Sequence, residues 1–261
     1  MPWDIDRLVR ESFVAGAEHH PVLGSTNDRA KQLAAEPGWP LPYLVVADRQ
    51  TAGRGRGRNR WWTGSGSLAM SLLVDGRSWP DHPNPGPLVA LAAAVAAAQV
   101  VAPLAPAVRV GIHWPNDVFV EGKKLAGVLV EAPPGQRYVV GVGLNLNNTL
   151  AEAPLELQST AVTLRELTGK EHDPTEFVLG YLKRLAALLD DVANQPYCIS
   201  QAAAEMCLQR GASLLVETGG QTVRGVCQGI ATDGALLLAT PQGLRRIASG
   251  VVLRDGRSED S

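Results

Sequence analysis

Four arginines, Arg54, Arg56, Arg58 and Arg60, fall within seven residues of the stretch DRQTAGRGRGRNRWW (48–62), separated by Gly55, Gly57 and Asn59. The whole chain carries a formal net charge of −2, so the cluster is no part of a general basic bias. Three uses fit such a segment. Charge runs are commonly solvated surface loops, but two indoles, Trp61 and Trp62, follow at once. Arginines alternating with aromatics also meet nucleic-acid backbone and bases. The acidic overall balance and the lack of a second basic face argue against that use. In the third use, glycines let successive backbone N–H groups converge on an anion while the guanidiniums supply forked donors. A tryptophan then covers a base or shields the site.

A second polar constellation lies in WPNDVFVEGKKLAG (114–127), where Trp-Pro-Asn-Asp precedes a turn and Lys123-Lys124-Leu-Ala-Gly follows it. Any single lysine on a strand is more often an ordinary surface residue. The common nucleotide and hydrolase motifs are missing: no GxxxxGK[ST], no HExxH and no GxSxG, and GVGLNL lacks the third glycine of a dinucleotide fingerprint. Cys198, Cys207 and Cys227 form no CxxC pair and have no histidine at zinc-ligand spacing, which reads as buried thiols in a reducing compartment.

These residues need a scaffold. A chain of 261 residues admits one large domain, or one large and one small, and 45% hydrophobic with 19% charged residues suits a buried core. The N-terminal MPWDIDRLVRE has acidic residues and no long apolar run, unlike a signal peptide. The longest apolar stretch, 88–102, is fifteen residues and Ala-rich. A membrane span needs ~20, so the stretch reads as a buried helix and the protein as cytoplasmic.

GSTNDRAKQLAAE (24–36) predicts a capped helix, YLVVAD (43–48) and SLAMSLLV (67–74) strands, and DHPNPGP (81–87) a loop. VRVGIHW (108–114) and KLAGVLVEA (124–132) read as strands flanking the turn WPNDVFVEGK, PPGQ (133–136) as a turn, and RYVVGVGLNLN (137–147) as a buried strand running into a loop. In DPTEF (173–177), Asp173 predicts an N-cap, Pro174 the first helical position and Glu176 the return bond of a capping box. After about Met206 short β-runs alternate with the turns GGQ, TDGA and PQG, the pattern of a small all-β module. The expected division is residues 1–206 and 207–261, with SEDS a frayed tail.

GSTN, QTAGRGR…W, WPND, K-LAG and GVGLNLN, in this order and at these separations, resemble the biotin protein ligase family over about residues 24–147. Each motif is weak alone, and five in order are specific. The resemblance implies an α+β fold: a mixed central sheet with flanking helices, class II synthetase-like as in biotin–lipoate ligases, followed by a small SH3-like β-barrel. It implies an enzyme, of the form without an N-terminal DNA-binding domain, since no helix-turn-helix fits before residue 20. Such a ligase makes biotinyl-5′-AMP from biotin and ATP, then passes biotin to one lysine of a biotin carboxyl carrier protein or domain. By position, Ser25, Thr26, Asn27, Gln50, Gly53, Arg54, Gly55, Arg56, Lys124 and Gly127 match biotin-holding residues, with Arg54 and Lys124 as the catalytic pair. Arg56, Trp61, His113, Asn116, Asp117, Lys124 and Asn145 match the ATP and adenylate site. Homodimers built on a sheet edge are common in the family, and no membrane or DNA partner is implied.

Two departures stand out. Many bacterial relatives read GRGR, one residue, then GR and later W; here Gly57 comes one place early, closer to the GRGRGxN…W form of eukaryotic-type ligases, so Arg58 and Arg60 receive no role. The residue before WPND, usually Lys, is His113, whose charge would depend on pH. The chemistry explains the cations. A carboxylate brought to ~4 Å from one phosphate charge is repelled by about 4 kcal/mol at a dielectric near 20. Lys124 and Arg54 would offset that repulsion and stabilise charge growing on the α-phosphate. No protein nucleophile is required. Mg²⁺ would ride on the nucleotide phosphates, with no protein metal site, and Asp117 would either assist it or cap the turn. The arginine loop would order over the ligands and exclude water. A lipoate–protein ligase is the same-class alternative, and an RNA-binding protein using the arginine loop is the different-class one.

Overall fold

The computed structural model describes residues 3–79 and 84–255. Residues 1–2, 80–83 and 256–261 lie outside the described residues, and with them the first part of the 81–87 loop and the SEDS tail. Seven strands form one mixed sheet: β1 (Gly16–Leu23), β2 (Tyr43–Gln50), β3 (Leu68–Asp75), β4 (Val110–His113), β5 (Asp117–Val120), β6 (Lys123–Glu131) and β7 (Arg137–Leu144). Their spatial order is β1-β2-β3-β7-β6-β5-β4, with β1 and β2 parallel and every other neighbouring pair antiparallel.

Strand periodicity sends alternate residues to opposite faces, and both faces are covered. Leu44 and Val46 of β2, Leu72 and Val74 of β3 and Val140 and Val142 of β7 join the main core. That core is roofed by α3 (Gly86–Val101), with α6 (Pro174–Asn194) and α7 (Pro196–Glu205) packed on it. The Ala-rich run is therefore a buried helix, its small side chains allowing close approach to sheet and helices. On the opposite face, Val45, Leu73 and Val139 pack with Ala30, Leu33 and Ala34 of α2 (Thr26–Ala34). Short helices α1 (Ile5–Glu11), α4 (Leu155–Thr160) and α5 (Leu164–Thr168) complete this part. Among the described residues no helix is long and apolar enough to cross a membrane.

Three local expectations change. The segment read as a turn, WPNDVFVEGK, contains β5: Val118 and Val120 are buried, and the two-residue turn Glu121-Gly122, both at positive φ, closes a hairpin to β6. Asp173 caps α6 through the N–H groups of Thr175 and Glu176, but Glu176 makes no return bond because its carboxylate accepts from Arg7 of α1. Of the three thiols, Cys207 and Cys227 are buried while Cys198 is only half-buried.

The C-terminal strands β8 (Ser213–Thr218), β9 (Gln221–Ile230), β10 (Leu236–Thr240), β11 (Gly243–Ile247) and β12 (Val251–Asp255) form one antiparallel sheet ordered β11-β10-β9-β8-β12. β11 and β12 are its two edges and do not pair, so the expected barrel stays open among the described residues. The β12 end instead faces the main body, where Gly250 carbonyl accepts from Arg56. Leu214, Val216, Cys227, Leu236 and Leu238 belong to the same apolar cluster as α3 and the large sheet.

Candidate active site

The slot begins as an absence of side chains. On the α2 face of the sheet β7 presents Val139, then Gly141 and Gly143, and β6 presents Glu131, Leu129 and Gly127 in register opposite them. Beyond the end of α2 the glycines leave a hollow of about 230 Å³. It is lined by Ser25, Thr26, Asn27, Gln50, Arg54, Gly55, Arg56, Trp61, His113, Asn116, Asp117, Lys124 and Gly127. A methyl group on Gly141 would overlap Asn27 Oδ1, and one on Gly143 would overlap the Trp61 indole. These two glycines let an amide and an aromatic ring lie directly on the sheet.

Ser25 caps α2 by accepting from Asp28 N–H, which fixes the Ser-Thr-Asn turn at the slot's end. Gln50 Oε1 accepts from Thr26 N at 2.9 Å. Asn27 Nδ2 donates to Glu131 Oε2 at 2.9 Å and to Leu129 carbonyl at 3.3 Å. An ionised carboxylate only accepts, so Glu131 sets which end of that amide faces it. Asn27 Oδ1 then points to Ser71, whose hydroxyl donates to it at 2.6 Å. With both amide hydrogens used, Asn27 can offer the slot only an acceptor.

The other Glu131 oxygen anchors charge. Arg54 Nη2 donates to Glu131 Oε1 at 2.8 Å and Nη1 to Asp28 Oδ1 at 2.6 Å; Lys31 Nζ meets the same two atoms at 3.0 and 2.8 Å. Burial pushes the Glu131 carboxyl up, but hydrogen bonds from Asn27 and Lys31 and the charges of Lys31 and Arg54 outweigh it, leaving the group below the ordinary carboxylate value. Asp28 follows the same pattern through Lys31 and Arg54. Arg54 thus reaches the slot with its charge already compensated.

The arginine segment folds as a tight hairpin. Arg54 and Arg60 form an antiparallel bridge, Gly55 N donates to Asn59 carbonyl at 2.9 Å, and Gly57 turns the tip at φ 62°. Gly53 does not line the slot; it is buried beneath the Trp61 carbonyl, where any side chain would collide. Arg56 Nη1 donates to Asn116 Oδ1 at 3.3 Å and Gly250 carbonyl at 3.1 Å. Burial pulls its pKa down, opposed by the Asp117 charge. Asn116 in turn donates to Val128 carbonyl.

Lys124 would face the wrong side of a regular β6, since the slot face there carries residues 127, 129 and 131. The pairing of β5 with β6 slips between Val118 and Phe119, bulging at Leu125, and this brings Lys124 to the same face as Gly127. Its Nζ donates to Asp117 Oδ2 at 2.6 Å and sits 5.8 Å from the Trp61 ring centroid. His113 stacks on Phe119 with centroids 4.6 Å apart and meets Gln209 Nε2 at 3.1 Å.

Asn145 does not line the slot. It lines a second, mainly apolar cavity of about 370 Å³ with Trp62, Phe119, Leu150 and Leu157, and this cavity shares Trp61, Lys124 and Arg60 with the first. Sequence reasoning missed Ser71, Glu131, Gly141, Gly143 and the contributions of Val251 and Val252 to the slot. The glycine alternation in GVGLNL was the one visible signal among these. A small polar slot rimmed by cations, joined through a shared lysine to an apolar cavity, can hold a carboxylate and a phosphate side by side.

A sequence model of the biotin/lipoate A/B protein ligase family matches residues 20–147, and one of the biotin protein ligase C-terminal domain matches residues 215–254. The chain is 32% identical to the biotin–[acetyl-CoA-carboxylase] ligase of Paracoccus denitrificans over 245 residues, covering 89% of this chain and 98% of that one. It is 32% identical to the bifunctional ligase/repressor BirA of Bacillus subtilis over 238 residues, covering 88% and 71%. The structure of biotin protein ligase from Aquifex aeolicus in complex with biotin and ATP superposes with a TM-score of 0.79 at 28% identity, covering 90% of this chain and 97% of that one. The chain belongs to the biotin protein ligase family.

Proposed function

We propose that this protein is an ATP-dependent biotin–protein ligase that forms biotinyl-5′-AMP and transfers biotin to a lysine of a carrier domain. One observation carries the reading: Lys124 stands where the polar slot meets the apolar cavity. Biotin fits the slot with its ureido ring toward Ser25, Thr26, Asn27 and Gln50 and its carboxylate toward Lys124. Asn27, restricted to accepting, suits a ureido N–H. ATP fits with its base beside Trp61 and Asn145, and with Asn116 and His113 on the phosphate side. Lys124 draws the carboxylate and the α-phosphate together and stabilises charge as it grows on the phosphate.

Arg54 can reach a ligand carboxylate only by loosening from Asp28 and Glu131, so its first contribution is to the slot wall. Arg56 ties the loop to the C-terminal unit through Gly250. On this basis the expected domain of residues 1–206 supplies most of the substrate sites, while the C-terminal unit adds Val251 and Val252 to the slot and braces, through Gly250, the lid that keeps water from the adenylate. Mg²⁺ would ride on the nucleotide phosphates, and Asp117 is engaged by Lys124 at 2.6 Å. When bound, the ion offsets pyrophosphate charge. The reaction belongs in the cytoplasm, where ATP and the carrier meet.

The test is pyrophosphate release with ATP and either biotin or lipoate, followed by mass analysis of an added biotin carboxyl carrier domain. Release that requires biotin, with one lysine modified, supports the reading. Equal release with lipoate overturns it in favour of the related ligase.

A further inference from the structure

One side-chain amide, that of Asn145, lines the apolar cavity, and it is not free to turn. Asn145 is buried and its backbone is pinned on both sides: its N–H donates to Leu125 carbonyl at 3.0 Å, and its carbonyl accepts from Leu164 N at 2.8 Å. In the side chain, Nδ2 donates to Val162 carbonyl at 3.3 Å and Oδ1 accepts from Asn148 Nδ2 at 3.3 Å. A carbonyl only accepts, so Val162 requires the nitrogen end of the Asn145 amide. The oxygen end then requires a donor, which Asn148 supplies. Turning the Asn145 amide over would set oxygen against the Val162 carbonyl and nitrogen against the Asn148 amide nitrogen.

Asn148 is itself 1% exposed, and among the described residues its Oδ1 has no hydrogen-bond partner. A buried acceptor left unpaired loses its hydration with no return, and an apolar side chain of similar size would avoid that loss. Packing therefore does not explain an asparagine here. Nor does holding the loop after β7: Asn147 does that, donating to His172 carbonyl at 2.7 Å and accepting from His172 N at 2.9 Å. What remains for Asn148 is its bond to Asn145.

We infer that Asn148 is a positioning residue for base selection, holding the Asn145 amide in the one orientation that pairs with adenine; this rests on the ligase reading above, which puts the nucleoside in this cavity. With one hydrogen given to Val162 and one lone pair to Asn148, the Asn145 amide keeps one N–H and one lone pair for a ligand. Adenine presents the matching pair, an N6 amino hydrogen as donor beside a ring nitrogen as acceptor. Hypoxanthine carries an O6 acceptor there, beside an N1–H donor, and matches the amide only when it is turned over.

The test compares Asn148→Ala and Asn148→Leu with wild type in calorimetric binding of ATP and of inosine triphosphate, and in biotin-dependent pyrophosphate release from each, with thermal unfolding as control. Wild type should prefer ATP by about tenfold or more, as expected for a two-point base contact. Both variants should lower that preference about fivefold, the scale of one hydrogen bond, losing affinity for ATP and gaining it for inosine triphosphate. Asn148→Leu should melt no lower than wild type, since it removes an unpaired acceptor. An unchanged preference overturns the assignment. So do equal losses for the two nucleotides, which a merely structural role would give, and a wild-type protein that does not distinguish them. If no pyrophosphate is released from biotin and ATP, the ligase reading fails, and the two binding affinities still decide the role of Asn148.

Discussion

Arg54 and Glu131 are joined at 2.8 Å across the mouth of the slot, and the same carboxylate orients Asn27 from its other oxygen at 2.9 Å. The first arginine of the loop and the amide at the far wall are therefore positioned by one side chain at the end of β6. Binding geometry and lid position are coupled through Glu131, which no ligand need touch.

Replacing that side chain tests the coupling. In Glu131→Gln the new amide can both donate and accept, so Asn27 is no longer held in one orientation and Arg54 loses a charged partner. Biotin should bind about tenfold more weakly, a loss on the order of 1–2 kcal/mol expected for hydrogen bonds involving a charged group. Stability at neutral pH should fall by a small but measurable amount, about 1 kcal/mol or less, because Arg54 is 39% exposed and partly exposed ion pairs contribute weakly. Calorimetry giving wild-type affinity would remove Glu131 from this role.

Lys124→Ala should separate binding from chemistry. Asp117 loses its partner but remains partly open to solvent, so the fold should survive. Adenylate formation should fall by about 100- to 1,000-fold, as when a preorganised group at developing charge is deleted. Pyrophosphate release at the wild-type rate would show that the lysine at the junction does no work on the phosphate.

The two floor glycines predict a double dissociation. Gly141→Ala displaces Asn27 and should weaken biotin binding while sparing nucleotide binding. Gly143→Ala displaces the Trp61 indole and should do the reverse. Titrations of both variants with biotin and with a non-hydrolysable ATP analogue decide the matter; identical profiles for the two would mean that neither glycine belongs to a distinct subsite.

Much of this was legible in the chain. Ser25 as a cap, the β-runs at 43–48 and 67–74, and the buried Ala-rich helix follow from short-range rules that tertiary packing does not override. The five ordered motifs placed most of the slot residues. What could not be read were effects of register: the bulge at Leu125 that turns Lys124 to the site face, and the pairing that sets Glu131 beside Asn27, 104 residues away in sequence. The segment 114–123 was misread because its strand is only four residues long and its turn residues dominate the local pattern.

Acid titration gives a last prediction, with a definite sign. Glu131 and Asp28 both have folded-state pKa values below their ordinary ones. A depressed carboxylate adds stability that is fully present above its unfolded value and is lost as pH falls through the folded one. The unfolded values are about 4.3 for Glu and 3.9 for Asp. The melting-temperature advantage of wild type over Glu131→Gln should therefore be constant from pH 8 to 5, begin to shrink near pH 4, and vanish below that. His172, whose burial and neighbouring Lys170 charge lower its pKa, is common to both proteins and cancels in the difference. An advantage that shrinks between pH 7 and 5, or that persists unchanged at pH 3, would show that the Glu131 carboxylate is not what Arg54, Lys31 and Asn27 hold in its charged form.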